Sequence, residues 1–148
     1  MSDAPSPSAQ STPVHLWIVG IVSLLWNLVG AFDYVATKLQ LDFVMSRYTE
    51  EQLAYYYGFP AWATVFWALA VWCGVAGSIL LLVRKRVAFQ LFLISLVSMV
   101  INSVYAFGMS NGMEIQGTGG FIFTLVIFAI ALGLVLYSRA MRARGVLA

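Results

Sequence analysis

The chain has 148 residues, of which 61% are hydrophobic and 9% charged, with one Cys, one His and a formal charge of +2. A water-facing domain carries roughly 25% charged residues, so this composition, with a mean hydropathy of +0.89, excludes a typical soluble enzyme and a disordered chain. The small net charge gives no footing to nucleic acid, and the single Cys and His leave no disulfide framework or Cys/His metal cluster, so no cofactor is expected.

Residues 1–13 are rich in Ser, Pro and Ala and are expected to form a disordered cytoplasmic tail. Beyond them the acids and bases leave four charge-free windows, 4–32, 52–83, 87–113 and 115–138. Each exceeds the ~20 residues that a helix needs to cross a bilayer. The spacing predicts spans at about 15–36, 61–83, 87–108 and 119–139, in one membrane domain over 14–148. The runs are apolar all round, unlike the alternating segments of a membrane barrel. The fold class expected is therefore all-α: an integral membrane four-helix antiparallel bundle in contact with the lipid bilayer. No Lys or Arg precedes the first span, so it lacks the basic region of a cleaved signal peptide.

The connection over 37–60 is long enough for structure of its own. Thr49-Glu50-Glu51-Gln52 reads as a capping box, and acids in a first turn suit the helix dipole. Gly58 can end that helix and Pro60 can begin the second span. Tyr55, Tyr56, Tyr57 and Trp62 suit an interfacial aromatic belt. The element expected is a short outer helix, either a plain amphipathic cap or a lid over a pocket. Residues 109–118 read as a short turn cornered at Asn111-Gly112. Pro5, Pro7, Pro13 and Pro60 all lie outside the span interiors, so no broken helix is expected.

Six of the eight bases lie on one side: Arg84, Lys85, Arg86, Arg139, Arg142 and Arg144. The positive-inside rule then puts both termini in the cytoplasm. Buried faces should carry small and polar residues. In the first span these are Gly20, Ser23, Asn27, Gly30 and Tyr34, and in the second Ala70, Gly74, Gly77 and Ser78. The third offers Ser95, Ser98, Asn102 and Tyr105, and the fourth Ala129 and Gly133. At 1.5 Å per residue, Asn27 and Ser98 reach similar mid-membrane depth, which predicts an interhelical contact between them. Asp33 and Asn102 reach the outer layer, together with Thr64, Thr124, Trp67 and Tyr105. These six form the candidate ligand site. Asp33 is the sole acid within a span, and an intramembrane carboxylate is a functional marker by default. Its depth at the outer boundary nonetheless favours a structural role, satisfied by water, Lys38 or a helix partner, with a ligand- or proton-linked role as the alternative.

The chain has no G-x-S-x-G, no H-E-x-x-H, no P-loop and no dinucleotide fingerprint, so a non-enzymatic role is expected. Ser23-Leu24-Leu25-Trp26-Asn27, Asp33-Tyr34, Pro60-Ala61-Trp62-Ala63-Thr64 and the basic turn Arg84-Lys85-Arg86 follow one another in a familiar order. The chain thereby resembles a group of small four-helix bacterial inner-membrane proteins, some of which carry the label "sugar transporter". The resemblance implies a multi-pass protein of the bacterial inner (plasma) membrane. Small multidrug-resistance transporters carry a carboxylate near the middle of the first helix, where this chain has Asn27. The function favoured is an accessory or assembly subunit of a larger membrane complex. The alternative is a transporter or binding protein for a small solute, a sugar among the candidates, acting as a homo-oligomer.

Overall fold

A computed structural model describes residues 11–148. Most of the predicted disordered tail, residues 1–10, lies outside the described residues. Six α-helices follow: α1 (Val14–Lys38), α2 (Asp42–Met45), α3 (Glu50–Tyr57), α4 (Ala61–Leu82), α5 (Val87–Val104) and α6 (Gly112–Ala143). A π-helical stretch, Tyr105–Met109, continues α5. No strand occurs among the described residues. Four helices are long and apolar enough to cross a membrane: α1, α4, α6 and α5 with its extension.

Local chemistry sets the helix ends. The Gln52 amide donates to Thr49 Oγ1 and the Thr49 amide to Gln52 Oε1, both at 3.1 Å, so the expected capping box starts α3. Pro60 caps α4 with an extended ψ of 154°. Its fixed φ and missing N–H suit that boundary. The chain reverses after α1 through Gln40, whose φ is 53°.

The four long helices form a row in which each packs on the next. α1 packs on α4, α4 on α5 and α5 on α6. Along α1 and α4, Gly20 faces Leu82, Asn27 meets Ser78, and Lys38 meets Thr64. Along α4 and α5, Gly77 faces Phe92, Ser95 donates to the Ala70 carbonyl, and Asn102 donates to that of Ala63 at 2.9 Å. The small residues predicted for these faces are the ones that let the backbones approach. α1 and α6 lack such close packing. They are bridged by the His15–Tyr137 hydrogen bond at one end and by the rings of Trp26 and Phe123, 6.2 Å apart, higher up.

An apolar core fills the end that carries the basic turn. Leu16, Leu81, Ala88, Phe92, Leu134, Val135, Met141 and Leu147 are buried together there. The Arg86 amide donates to the Ala148 carbonyl at 2.9 Å and the Ala148 amide to that of Arg84 at 2.8 Å, which seats Leu147 in this core. The outward faces are broadly apolar; Val22, Leu25 and Val29 of α1 are each at least 60% exposed. Apolar exposure of that extent suits hydrocarbon rather than water.

Three expectations are corrected. Asn27 does not bond Ser98; its Nδ2 donates to Ser78 Oγ at 3.2 Å and to the Ser23 carbonyl at 2.8 Å. The reason is topological: α1 neighbours α4, not α5, so equal depth does not become contact. Ala129 and Gly133 lie on an exposed face of α6, not a buried one, with open space around Gly133. The connection over 109–118 is not a plain turn, because α6 already begins at Gly112. Gly117 interrupts α6 at φ 69°, ψ −176°, a conformation open essentially to glycine alone. The break in α6 falls before the predicted span over 119–139, inside the predicted connection. No proline is needed for that break.

Candidate functional site

Above the apolar core the row of helices borders a partly open cavity of about 610 Å³. Its floor is Phe92 and Leu134, the top of the core, so it is a closed-ended vestibule. α1 contributes Trp26, Asn27, Gly30 and Asp33, and α4 contributes Trp67 and Ala70. α5 adds Ser95, Met99, Asn102 and Ser103, and α6 adds Gln116, Phe123 and Thr124. Nothing lies within 4 Å of where a Gly30 side chain would begin, so the glycine leaves that wall recessed.

The segment between α1 and α4 covers the cavity. The reversal at Gln40 folds α2 back, and Met45 and Tyr48 come to line the vestibule with Gln52, Tyr56 and Phe59. The short helix α3 thus contributes Gln52 and Tyr56 to the cavity wall, the arrangement that a lid requires. Tyr55 fastens it to the π-helical stretch. Its hydroxyl meets Ser110 Oγ at 2.8 Å and donates to the Ala106 carbonyl at 3.3 Å. Ser110 also donates to that carbonyl, at 2.9 Å. A π-turn widens the helix and often marks a functional site; here it turns a carbonyl toward the lid.

Asp33 is half-buried on the cavity wall, and the Tyr48 hydroxyl faces its carboxylate. Burial raises the Tyr48 hydroxyl above the ordinary tyrosine value; the Asp33 charge and hydrogen bond add to this, and Arg47 opposes it. Tyr56 is pushed up to about 12, first by burial and then by the charges of Tyr48, Asp33 and Tyr55. The Tyr56 ring packs on the rings of Tyr48, Tyr55 and Phe59 at centroid separations of 5.8, 5.5 and 6.2 Å. The lid is thus a cluster of neutral phenols and one phenyl ring.

Of the six residues proposed for the ligand site, four line the cavity: Asp33, Asn102, Trp67 and Thr124. Asn27, expected only as a packing residue, lines it too. Thr64 does not; its hydroxyl accepts from Lys38 Nζ at 3.4 Å. Tyr105 stands behind the wall, edge-on to Phe59 and Trp62 with both centroids at 5.2 Å. Ser98 is buried without lining the cavity. Asp33 and Asn102 share the cavity without bonding each other, since Asn102 is committed to the Ala63 carbonyl.

Sequence reading missed Tyr48, Gln52, Tyr56, Gln116, Trp26 and Phe123 as lining residues. Gln52 and Tyr56 were within reach, because the capping box fixes α3 and hence which of its faces is apolar. Tyr48 was not, because its place depends on the Gln40 reversal. No family model, curated protein or solved structure matches the chain. Among the described residues no three His, Cys, Asp or Glu side chains gather to hold a metal ion. What the site offers is shape, aromatic surface, one carboxylate and a lid.

Proposed function

We propose that this protein is a multi-pass protein of the bacterial inner membrane that binds a small, largely apolar molecule within an antiparallel four-helix bundle, as a carrier or receptor. Both termini face the cytoplasm in this reading. The basic turn and the basic end of α6 anchor that side, and the lid faces outward. The carrying observation is the lidded cavity of about 610 Å³, within the ~300–1,000 Å³ of small-molecule sites.

The predominance of apolar and aromatic residues on the wall favours an apolar or amphipathic molecule over a sugar, and several polar groups there spend their donors on the helices themselves. Asn27 is committed to Ser23 and Ser78, Asn102 to Ala63, Thr37 to Asp33, and Thr124 to Gly120. A sugar needs many free partners, and a desolvated hydroxyl without one is costly. A second reading, an accessory subunit or homo-oligomer, draws support from α6, whose apolar window is 11% buried against 22–28% in the other three spans. That helix has the most surface left for a neighbour.

The test is saturable binding of the neutral fluorophore N-phenyl-1-naphthylamine to the purified protein in lipid nanodiscs. Wild type binds it, and Gly30→Leu, which fills the recessed wall, removes the saturable component at unchanged folded yield. Equal binding by the two proteins refutes the assignment.

A further inference from the structure

We infer that the cavity selects an amphipathic organic cation, with the Asp33 carboxylate as counter-ion and the surrounding aromatic rings as the surface for its apolar body. The inference rests on the solute-binding reading above and names its ligand class. Among the described residues Asp33 is the only Asp, Glu, Lys or Arg on the cavity wall. The nearby bases have other partners: Lys38 reaches Thr64 and lies over the Trp67 ring, and Arg47 is exposed and acts on the Tyr48 hydroxyl. A carboxylate withdrawn from water without a cation is costly, and a cationic ligand supplies one.

The rings reinforce the same sign. Trp26, Trp67, Tyr48, Tyr56, Phe59 and Phe123 all border the cavity, and an aromatic face attracts a cation held within about 6 Å of its centre. The chain itself provides an example. Lys38 Nζ lies 5.6 Å over the Trp67 ring, so a cavity-lining indole already receives an ammonium group. An anion would meet the Asp33 charge and the negative ring faces together, and both repel it. The apolar floor of Phe92 and Leu134 suits a lipophilic body rather than a hydrated ion. Charge and surface together describe a lipophilic ammonium or phosphonium rather than a metal ion or a polyol.

Tetraphenylphosphonium and tetraphenylborate are near-identical in shape and opposite in charge, and they serve as the probes. Binding is measured on the full chain in nanodiscs of zwitterionic lipid, with Gly30→Leu nanodiscs as the blank for lipid partition. Wild type is expected to bind the phosphonium at least about tenfold more tightly than the borate. Asp33→Asn is expected to lower the ratio of phosphonium to N-phenyl-1-naphthylamine affinity by at least about tenfold, and Asp33→Glu to restore it. Equal or reversed preference in wild type, or an unchanged ratio in Asp33→Asn, overturns the inference. If the neutral fluorophore still binds saturably in that case, the cavity assignment stands and only cation selectivity falls. If neither probe nor fluorophore binds, both fall.

Discussion

Gly74, packed against Asn27, and Gly77, packed against Phe92, make tight joints between the long helices. A side chain at Gly77 would meet the Phe92 ring at 2.9 Å, and that ring is buried in the core. Gly77→Ala should therefore cost about 1–3 kcal/mol through overpacking. Gly133→Ala, with open space around it, should change stability by less than about 0.5 kcal/mol. Unfolding equilibria of the two variants in mixed micelles check the contrast. Asn27→Ala loses the bond to Ser78, but Ser78 keeps its own bond to the Gly74 carbonyl at 2.9 Å. Its cost should accordingly fall near the low end of the ~0.6–2 kcal/mol range for interhelical hydrogen bonds. That Asn27 is polar glue was legible from its place in a stripe of small residues. Its partner was not, because spacing along one helix fixes a face and a depth but not which neighbour stands opposite.

The lid element joins two networks, the capping box at its start and the Tyr55–Ser110–Ala106 contacts that tie it to the π-helical stretch. Tyr55→Phe removes the hydroxyl from Ser110 and from the Ala106 carbonyl, for about 0.5–1.5 kcal/mol. It should speed amide exchange across α3 (Glu50–Tyr57) and the π-helical stretch while leaving α4 protected. Alkaline pH should act on the same element. The folded value for Tyr56, about 12, lies above its ordinary value of 10.0, so the neutral phenol favours the closed lid. That contribution is intact below about 10 and is lost as pH rises toward 12. Phenolate absorbance should resolve a late-titrating tyrosine that Tyr56→Phe deletes. In the same titration Asp33→Asn should lower the Tyr48 transition, because the Asp33 charge and hydrogen bond help to hold it up. The capping box was readable because four consecutive residues supply both of its bonds. The break at Gly117 was not, because the sequence offers Gly117, Gly119 and Gly120 with nothing to say which adopts the positive φ.

At the scale of the molecule, the apolar core and the cavity occupy opposite ends. The apolar core joins all four long helices beside the basic turn, and the cavity opens where the row loses that core. The four spans were legible because hydrocarbon tolerates few charges, so gaps between charges mark helices. The cavity was not, because a void is a property of how four helices diverge and none of its walls has a sequence signature. Asp33 was the exception, since an acid in a span stands out whatever surrounds it. The measurement that bears most directly on the central claim is cysteine accessibility at the recessed wall. Gly30→Cys, in a Cys73→Ser background, would be treated in intact cells with a membrane-impermeant maleimide, with and without N-phenyl-1-naphthylamine. A ligand cavity lidded on the outer side predicts labelling from outside that the fluorophore slows. A cysteine that is not labelled from outside, or is labelled at the same rate with the fluorophore present, would contradict it.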